Sequence, residues 1–132
     1  MKEQLTNFET AKLAKEIGFD WEVTNYFKLT TISNPVIEDT CNLQNINNVS
    51  DTVISRPTQS ILQRWLRDEY DIQMILKPFY DGKEHKRTFV CDVIEIKRTG
   101  RTKKSHRQDT YEEALEEGLL NGLNLIKELK DN

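Results

Sequence analysis

The sequence predicts a small α+β domain. Three segments carry apolar residues at helical spacing behind recognisable N-caps, and two alternating runs flank an Asp-Gly turn. A length of 132 residues suits one hydrophobic core. We therefore predict a single domain over residues 1–132. It has an N-terminal helix and strand, then a helix, a β-hairpin and a helix, with the helices packed on an antiparallel sheet.

The first predicted element is a helix over residues 6–17. Thr6 and Glu9 have the spacing of a capping box, in which each side chain satisfies a main-chain N–H at the helix start. Gly18 suits the left-handed conformation that ends a helix. The next segment, WEVTNYFKLTTI (21–32), is rich in aromatic and β-branched residues and predicts a strand.

Residues 33–53 show neither helical nor alternating spacing. This stretch is rich in asparagine, and its apolar residues are isolated. The sequence therefore predicts a long flexible loop, although connections of this length are uncommon inside compact domains.

A helical pattern resumes in ISRPTQSILQRWLRDEYDI, residues 54–72. Ser55 is the predicted N-cap, and Pro57 then lies in the first turn, where its missing N–H costs little. One apolar face is formed by Ile61, Leu62, Trp65 and Leu66.

A hairpin follows, built from IQMILKPFY (72–80) and TFVCDVIEIK (88–97) around the turn that contains Asp81-Gly82. Proline cannot donate to a sheet ladder, so the first strand should be an edge strand at Pro78 or end there. No third strand is evident between this hairpin and the last helix.

The last helix has the clearest start. Thr110 and Glu113 again have capping-box spacing, and a cluster of glutamates complements the positive end of the helix dipole. Gly118 and Gly122 lie on one side, which predicts close packing against the sheet. The expected buried stripe comprises Tyr111, Ala114, Leu115, Leu119, Leu123 and Ile126.

Composition indicates a cytoplasmic protein. Hydrophobic residues make up 36% and charged residues 31% of the chain, and no segment has the apolar run of a signal peptide or a membrane span. Cys41 and Cys91 are far apart, which favours two free thiols in a reducing compartment. A net charge of −3 means that attraction to a polyanion would have to come from a local patch.

Three runs of the chain share a pattern with known sequences. They are RPTQSILQRWLRDEYDI (56–72), TYEEALEEGLLNGLNLIK (110–127) and FETAKLAKEIGFD (8–20). These runs resemble a family of uncharacterised proteins encoded in phages and prophages of Bacteroides-like bacteria. The resemblance covers a little over a third of the chain and implies a phage or mobile-element origin. It implies no activity, because the family has none assigned.

A basic run between residues 97 and 107 is the main candidate for binding nucleic acid. Clustered Lys and Arg can neutralise phosphates and release counterions. The order of elements here is loosely similar to a double-stranded-RNA-binding domain, but Glu112 and Glu113 stand where that fold would use cations. The favoured interpretation is an exposed lead-in to the last helix. The basic residues are Lys97, Arg98, Arg101, Lys103, Lys104 and Arg107.

The hairpin is apolar on both faces, so its outer face is a candidate interaction surface. If Ile75, Phe79 and Val90 lie away from the helices, they need a cover. A homodimer through that face, a homodimer through an edge strand, and the N-terminal third folded over the sheet are the alternatives.

We expect no catalytic site, no metal site and no cofactor. His85, Cys91 and His106 lack a zinc-like spacing, and Cys91 lies mid-strand, where it should be a small buried hydrophobe. The hairpin and central-helix aromatics are expected in the core rather than as stacking platforms. They are Trp65, Tyr70, Phe79, Tyr80 and Phe89.

The sequence thus predicts a non-enzymatic accessory protein that binds another protein, and that partner could be a second copy of itself. Binding of nucleic acid through residues 97–107 is the alternative.

Overall fold

The computed structural model describes residues 4–29, 37–46 and 53–131. It confirms the α+β class, with three helices and two antiparallel sheets among the described residues. The chain divides into two compact units, residues 1–61 and residues 62–132, which are described separately below.

The first unit begins with helix α1, Phe8–Ile17, whose N-cap differs from the prediction. Asn7 caps the helix, and its side chain accepts a bond from the Thr10 N–H at 2.9 Å. The Thr6 hydroxyl instead donates to the Pro57 carbonyl at 2.9 Å, so this buried side chain is committed elsewhere. The predicted helix stop is confirmed, because Gly18 has a φ of 114° and bonds the carbonyl of Ala14.

A three-stranded antiparallel sheet completes this unit. Its strands are β1 (Val23–Leu29), β2 (Ile37–Ile46) and β3 (Val53–Ser55), in the order β2–β1–β3. Ala11 of α1 is buried together with Phe27 and Ile54 of the sheet. The ring of Phe8 meets the Phe27 ring edge-on, with centroids 5.3 Å apart.

Strand β2 corrects the prediction of an irregular loop over residues 33–53. It pairs with β1 from Leu29↔Ile37 to Asn25↔Cys41 and again at Val23↔Ile46, with an irregularity in the register between the two. The residues of β2 have low strand propensity, but their main-chain N–H and C=O groups pair with β1. Propensity along one segment cannot predict a strand that depends on such a neighbour. Residues 33–36 and 47–52 of the predicted loop lie outside the described residues.

Helix α2, Gln59–Tyr70, starts later than predicted, and the boundary between the two units falls within it. Ser55 belongs to β3 and is not the N-cap. The cap bond comes from Thr58, whose hydroxyl oxygen accepts from the Ile61 N–H at 3.3 Å. The helix stops at Asp71, a non-glycine residue with a φ of 56°.

The second unit contains most of α2, a sheet of order β4–β5–β6, and helix α3. The predicted hairpin is confirmed as β4 (Ile72–Asp81) and β5 (Lys86–Glu95), paired from Ile72↔Glu95 to Asp81↔Lys86. Strand β6 (Thr102–Lys103) was not predicted. It pairs with β5 although two residues are too few to show an alternating pattern.

Helix α3, Tyr111–Asp131, packs on the sheet as predicted. The Thr110 hydroxyl accepts the Glu113 N–H at 3.1 Å, which confirms the predicted N-cap. The predicted stripe is buried except for Tyr111, which is 47% exposed. A Cβ built on Gly118 would lie 2.2 Å from the sulfur of Cys91, so the predicted close approach of helix and sheet is confirmed there.

Candidate functional site

The register of the hairpin assigns its side chains to two faces. Residues directly opposite each other in an antiparallel pair share a face, and neighbours along a strand alternate. Gly118 and Gly122 of α3 approach Cys91, Val93, Ile72 and Met74, which all lie on one face. The other face, called the open face below, carries the odd-numbered side chains of β4 and the even-numbered side chains of β5.

The candidate interaction residues Ile75, Phe79 and Val90 all lie on the open face. Ile75 is 41% exposed and Phe79 is 37% exposed, while Val90 is partly buried between them. The structure therefore brings together three apolar side chains from two strands on the side of the sheet that α3 does not occupy.

Charged groups lie within and beside this apolar patch. Lys77 lies between Ile75 and Phe79 on β4, and its ammonium is 3.0 Å from a carboxylate oxygen of Asp92. The guanidinium of Arg107 lies 4.8 Å from the centre of the Phe79 ring, within cation–π range. Apolar and charged side chains therefore alternate on the open face, with the Lys77–Asp92 ion pair lying among the three apolar residues.

The core prediction for the five aromatic residues is wrong at two positions. Trp65 is buried as predicted, but Tyr80 is 68% exposed and Phe79 lies on the open face. Tyr80 is next to the hairpin turn, and its hydroxyl bonds the Nδ1 atom of His85 at 3.1 Å. It is therefore satisfied locally without entering the core.

The basic run from Lys97 to Arg107 bonds back to the glutamates of α3. Glu128 lies 3.0 Å from Arg101 and 2.9 Å from Lys103, so one carboxylate faces two of the six cations. The hydrogen bond from Lys103, together with the positive charges of Lys103 and Arg101, lowers the pKa of Glu128. Arg107 stacks on Phe79. Among the described residues, no ion pair is found for Lys97, Arg98 or Lys104.

A second glutamate of α3 holds the end of the run. The Glu117 carboxylate accepts the main-chain N–H of His106 at 3.0 Å and the side-chain amide of Gln108 at 2.6 Å. Burial opposes ionisation of this carboxyl, but these hydrogen bonds outweigh it and lower the pKa of Glu117. The basic run is thus part of a network with an acidic helix rather than an isolated cationic surface.

Glu95, at the end of β5, organises the turn that begins the basic run. The side chain is 2% exposed and accepts the main-chain N–H of Arg98 at 2.9 Å and that of Thr99 at 2.9 Å. Desolvation opposes its charge, but the bonds from Arg98 and Thr99 prevail and lower the pKa of Glu95. Sequence reasoning missed this residue, because a glutamate in an alternating strand looks like an exposed one.

A cleft of about 200 Å³ opens beside this turn. Three basic side chains and two carboxylates line it, and the last turn of α3 presents the negative end of the helix dipole. These opposing charges give it no clear preference for an anion. It is lined by Glu69, Tyr70, Glu95, Lys97, Arg98, Ile126, Leu129 and Lys130.

Cys91 is the buried hydrophobe that was predicted. It is fully buried beneath Gly118, and burial raises the pKa of its thiol to about 12, so the nucleophilic thiolate does not form at neutral pH. The thiol of Cys41 lies outside what the structure describes. Residues 4–29, 37–46 and 53–131 include no group of three or more His, Cys, Asp or Glu side chains that could hold a metal ion.

Two further findings bear on what the chain can do. Among the described residues, no helix has both the length and the apolar composition needed to cross a membrane. Comparison with protein-family models, with curated proteins and with solved structures found no match.

Proposed function

We propose that this chain is a non-enzymatic protein-interaction module of phage type, acting in the cytoplasm and binding another protein through the open face of its hairpin. The observation that carries the proposal is the shared position of Ile75, Phe79 and Val90 opposite the face on which α3 packs. Apolar side chains exposed together on one face favour a protein partner over a small polar ligand. The buried Cys91 thiol is compatible with a reducing compartment.

Site-specific photo-crosslinking tests this proposal. A photoreactive phenylalanine analogue at position 75 or 79 should crosslink the same polypeptide in cells that naturally produce the protein. The matched control is the same analogue at Tyr111, which is 47% exposed but belongs to α3 and not to the open face. The purified partner should then bind the wild-type chain and lose affinity for both Ile75→Lys and Phe79→Lys.

The proposal fails if the same products form from all three positions, because that pattern reports non-specific contact. It also fails if the purified partner binds the two lysine variants as tightly as the wild type. Either result would exclude the open face as the docking surface.

Binding of nucleic acid through residues 97–107 is the second candidate, and the second unit offers one observation in its favour. Its order of elements, α2–β4–β5–β6–α3, includes the third strand that the loose similarity to a double-stranded-RNA-binding domain requires. Against it, Glu112 and Glu113 occupy the first turn of α3, and Arg101 and Lys103 are paired with Glu128. We therefore favour the protein-interaction function.

Fluorescence anisotropy distinguishes the two candidates. At 50 mM salt we expect dissociation constants above about 100 μM for labelled double-stranded RNA, duplex DNA and single strands. A dedicated cationic surface would bind nucleic acid more tightly than that, even without sequence specificity. Micromolar binding that weakens with salt and is lost in Arg101→Ala/Lys103→Ala/Lys104→Ala would contradict our preference. Lys12→Ala/Lys28→Ala/Lys127→Ala, which removes the same number of charges at exposed positions on other elements, controls for the loss of charge alone.

A further inference from the structure

The accessible charge in the middle of the open face is positive. Lys77 and Asp92 form an ion pair across the two strands, but the Lys77 side chain is 49% exposed and the Asp92 side chain only 12%. Asp81, at the turn end of the same face, accepts the main-chain N–H of Lys83 at 2.9 Å and so serves the hairpin turn. A partner that approaches the middle of this face therefore meets an ammonium rather than a carboxylate.

The two faces of the sheet divide the basic run between them. Lys103 is opposite Val93, so it lies on the face that α3 covers, where Glu128 pairs with it. Arg107 belongs to the open face, because its guanidinium lies over the ring of Phe79. The acidic side of α3 therefore neutralises cations on its own face and leaves Arg107 on the other.

Arg107 is held in place and has donors to spare. Its guanidinium is 4.8 Å from the centre of the Phe79 ring, and in the described part of the chain it has no hydrogen-bond acceptor and no ion-pair partner. A guanidinium carries five N–H donors in a planar fork that matches a carboxylate. Because the ring orients the fork before a partner arrives, less entropy is lost when a carboxylate binds.

We propose that the partner binds the open face with an acidic peptide segment in which a carboxylate lies beside an aliphatic or aromatic side chain. This inference rests on the proposed protein-interaction function and names the chemistry of the partner. The carboxylate pairs with the guanidinium of Arg107, and the ammonium of Lys77 adds to the attraction. The apolar side chain packs on Ile75 and Val90 and removes them from water.

The apolar part of the face favours this occupant over nucleic acid. Phosphates can pair with Arg107 and Lys77, and one base can stack on Phe79. A sugar–phosphate chain has no aliphatic side chain, however, to cover Ile75 and Val90. A segment that is both acidic and apolar satisfies the cations and the apolar side chains together.

Selection from a library of random peptides tests this inference with the full chain. Peptides that also bind Ile75→Ser/Phe79→Ser are discarded, since these substitutions remove apolar surface from the open face without changing its charge. The peptides retained should be enriched in Asp or Glu next to an apolar residue. Retention of no peptide, or of peptides without that enrichment, would overturn the inference.

Substitution of Arg107 identifies the cation that is recognised. A synthetic copy of the most enriched peptide should bind Arg107→Ala about tenfold more weakly than the wild type, as expected when a hydrogen bond to a charged group is lost. Arg101→Ala is the matched control, because Arg101 belongs to the same run but is bonded to Glu128, and it should leave the affinity unchanged. Arg107→Glu should instead prefer the peptide in which lysines replace the acidic residues. Equal weakening by the two alanine substitutions would contradict the assignment to Arg107.

Further outcomes separate this inference from the proposed function. If a partner crosslinked from positions 75 and 79 binds Arg107→Glu as tightly as the wild type, the acidic segment is refuted and the proposed function stands. If the crosslinking itself fails, the open face is not a docking surface and both fall. A single-stranded oligonucleotide that displaces the peptide at equal concentration would assign the face to nucleic acid instead.

Discussion

Gly118→Ala should destabilise the protein by about 2 kcal/mol, because α3 approaches β5 too closely at this point for any side chain. The added Cβ would lie 2.2 Å from the Cys91 sulfur and 2.9 Å from its Cβ, and both atoms are fully buried in the sheet. Overpacking costs about 1–3 kcal/mol, and a contact this close belongs at the upper end of that range. Subtracting the roughly 1 kcal/mol by which alanine favours a helix over glycine leaves the expected loss of about 2 kcal/mol. Urea unfolding followed by circular dichroism measures the difference.

Gly122→Ala is the matched control, one turn further along the same buried stripe of α3. Its Cβ would lie 3.4 Å from the ends of three side chains, those of Ile72, Leu66 and Met74. These flexible groups can adjust, and the gain in helix propensity offsets the remaining strain. We expect a change within about 0.5 kcal/mol of zero. Equal destabilisation by the two substitutions would mean that the contact with Cys91 is not special.

Glu95→Ala should lower the free energy of unfolding by about 2–3 kcal/mol. The substitution removes a buried carboxylate that accepts from the N–H groups of Arg98 and Thr99, and hydrogen bonds to a charged group contribute about 1.5–3 kcal/mol. The same measurement on Glu128→Ala is the comparison. The Glu128 carboxylate accepts hydrogen bonds from the side chains of Arg101 and Lys103, but it is 40% exposed. The free energy of unfolding should therefore fall by less than about 1 kcal/mol.

The effect of Glu95 should depend on pH with a defined sign. Because the folded protein holds the pKa of Glu95 below its ordinary value, the carboxylate stabilises the fold above the unfolded-state pKa of about 4.3. That contribution disappears as the pH falls through the lower, folded-state pKa. The stability gap between wild type and Glu95→Ala should therefore be full at pH 7 and narrow at pH 3. A gap that stays constant between these values would show that the carboxylate charge is not what the turn requires.

Some elements were predictable because their signals are local. The helix stop at Gly18, the Thr110 cap of α3 and the Asp81-Gly82 hairpin each depend on residues within one turn of the chain. The position of Ile75 and Phe79 on one face was also predictable, since alternation along a single strand determines it. The distribution of basic residues along 97–107 could be read directly from the sequence. The pairing of Arg101 and Lys103 with Glu128 could not, because that residue is 27 and 25 positions away in the chain.

Other predictions were wrong where a distant partner competed for a group. Thr6 has the spacing of a cap, yet its hydroxyl bonds Pro57, 51 positions along the chain, and Asn7 caps α1 instead. Strand β2 forms although its sequence is not strand-like, because pairing with β1 satisfies its main-chain N–H and C=O groups. Strand β6 is defined by β5 in the same way.

The sequence by itself determined the α+β class, the number of helices, the main hairpin and the apolar residues available to each face. These follow from short-range periodicity and capping, which need no knowledge of what lies across the fold. Only the tertiary structure decided that Glu95 is a buried acceptor and that the basic run bonds to α3. Each of these depends on which main-chain and charged groups meet in space, because a hydrogen bond or ion pair is made by proximity and not by spacing along the chain.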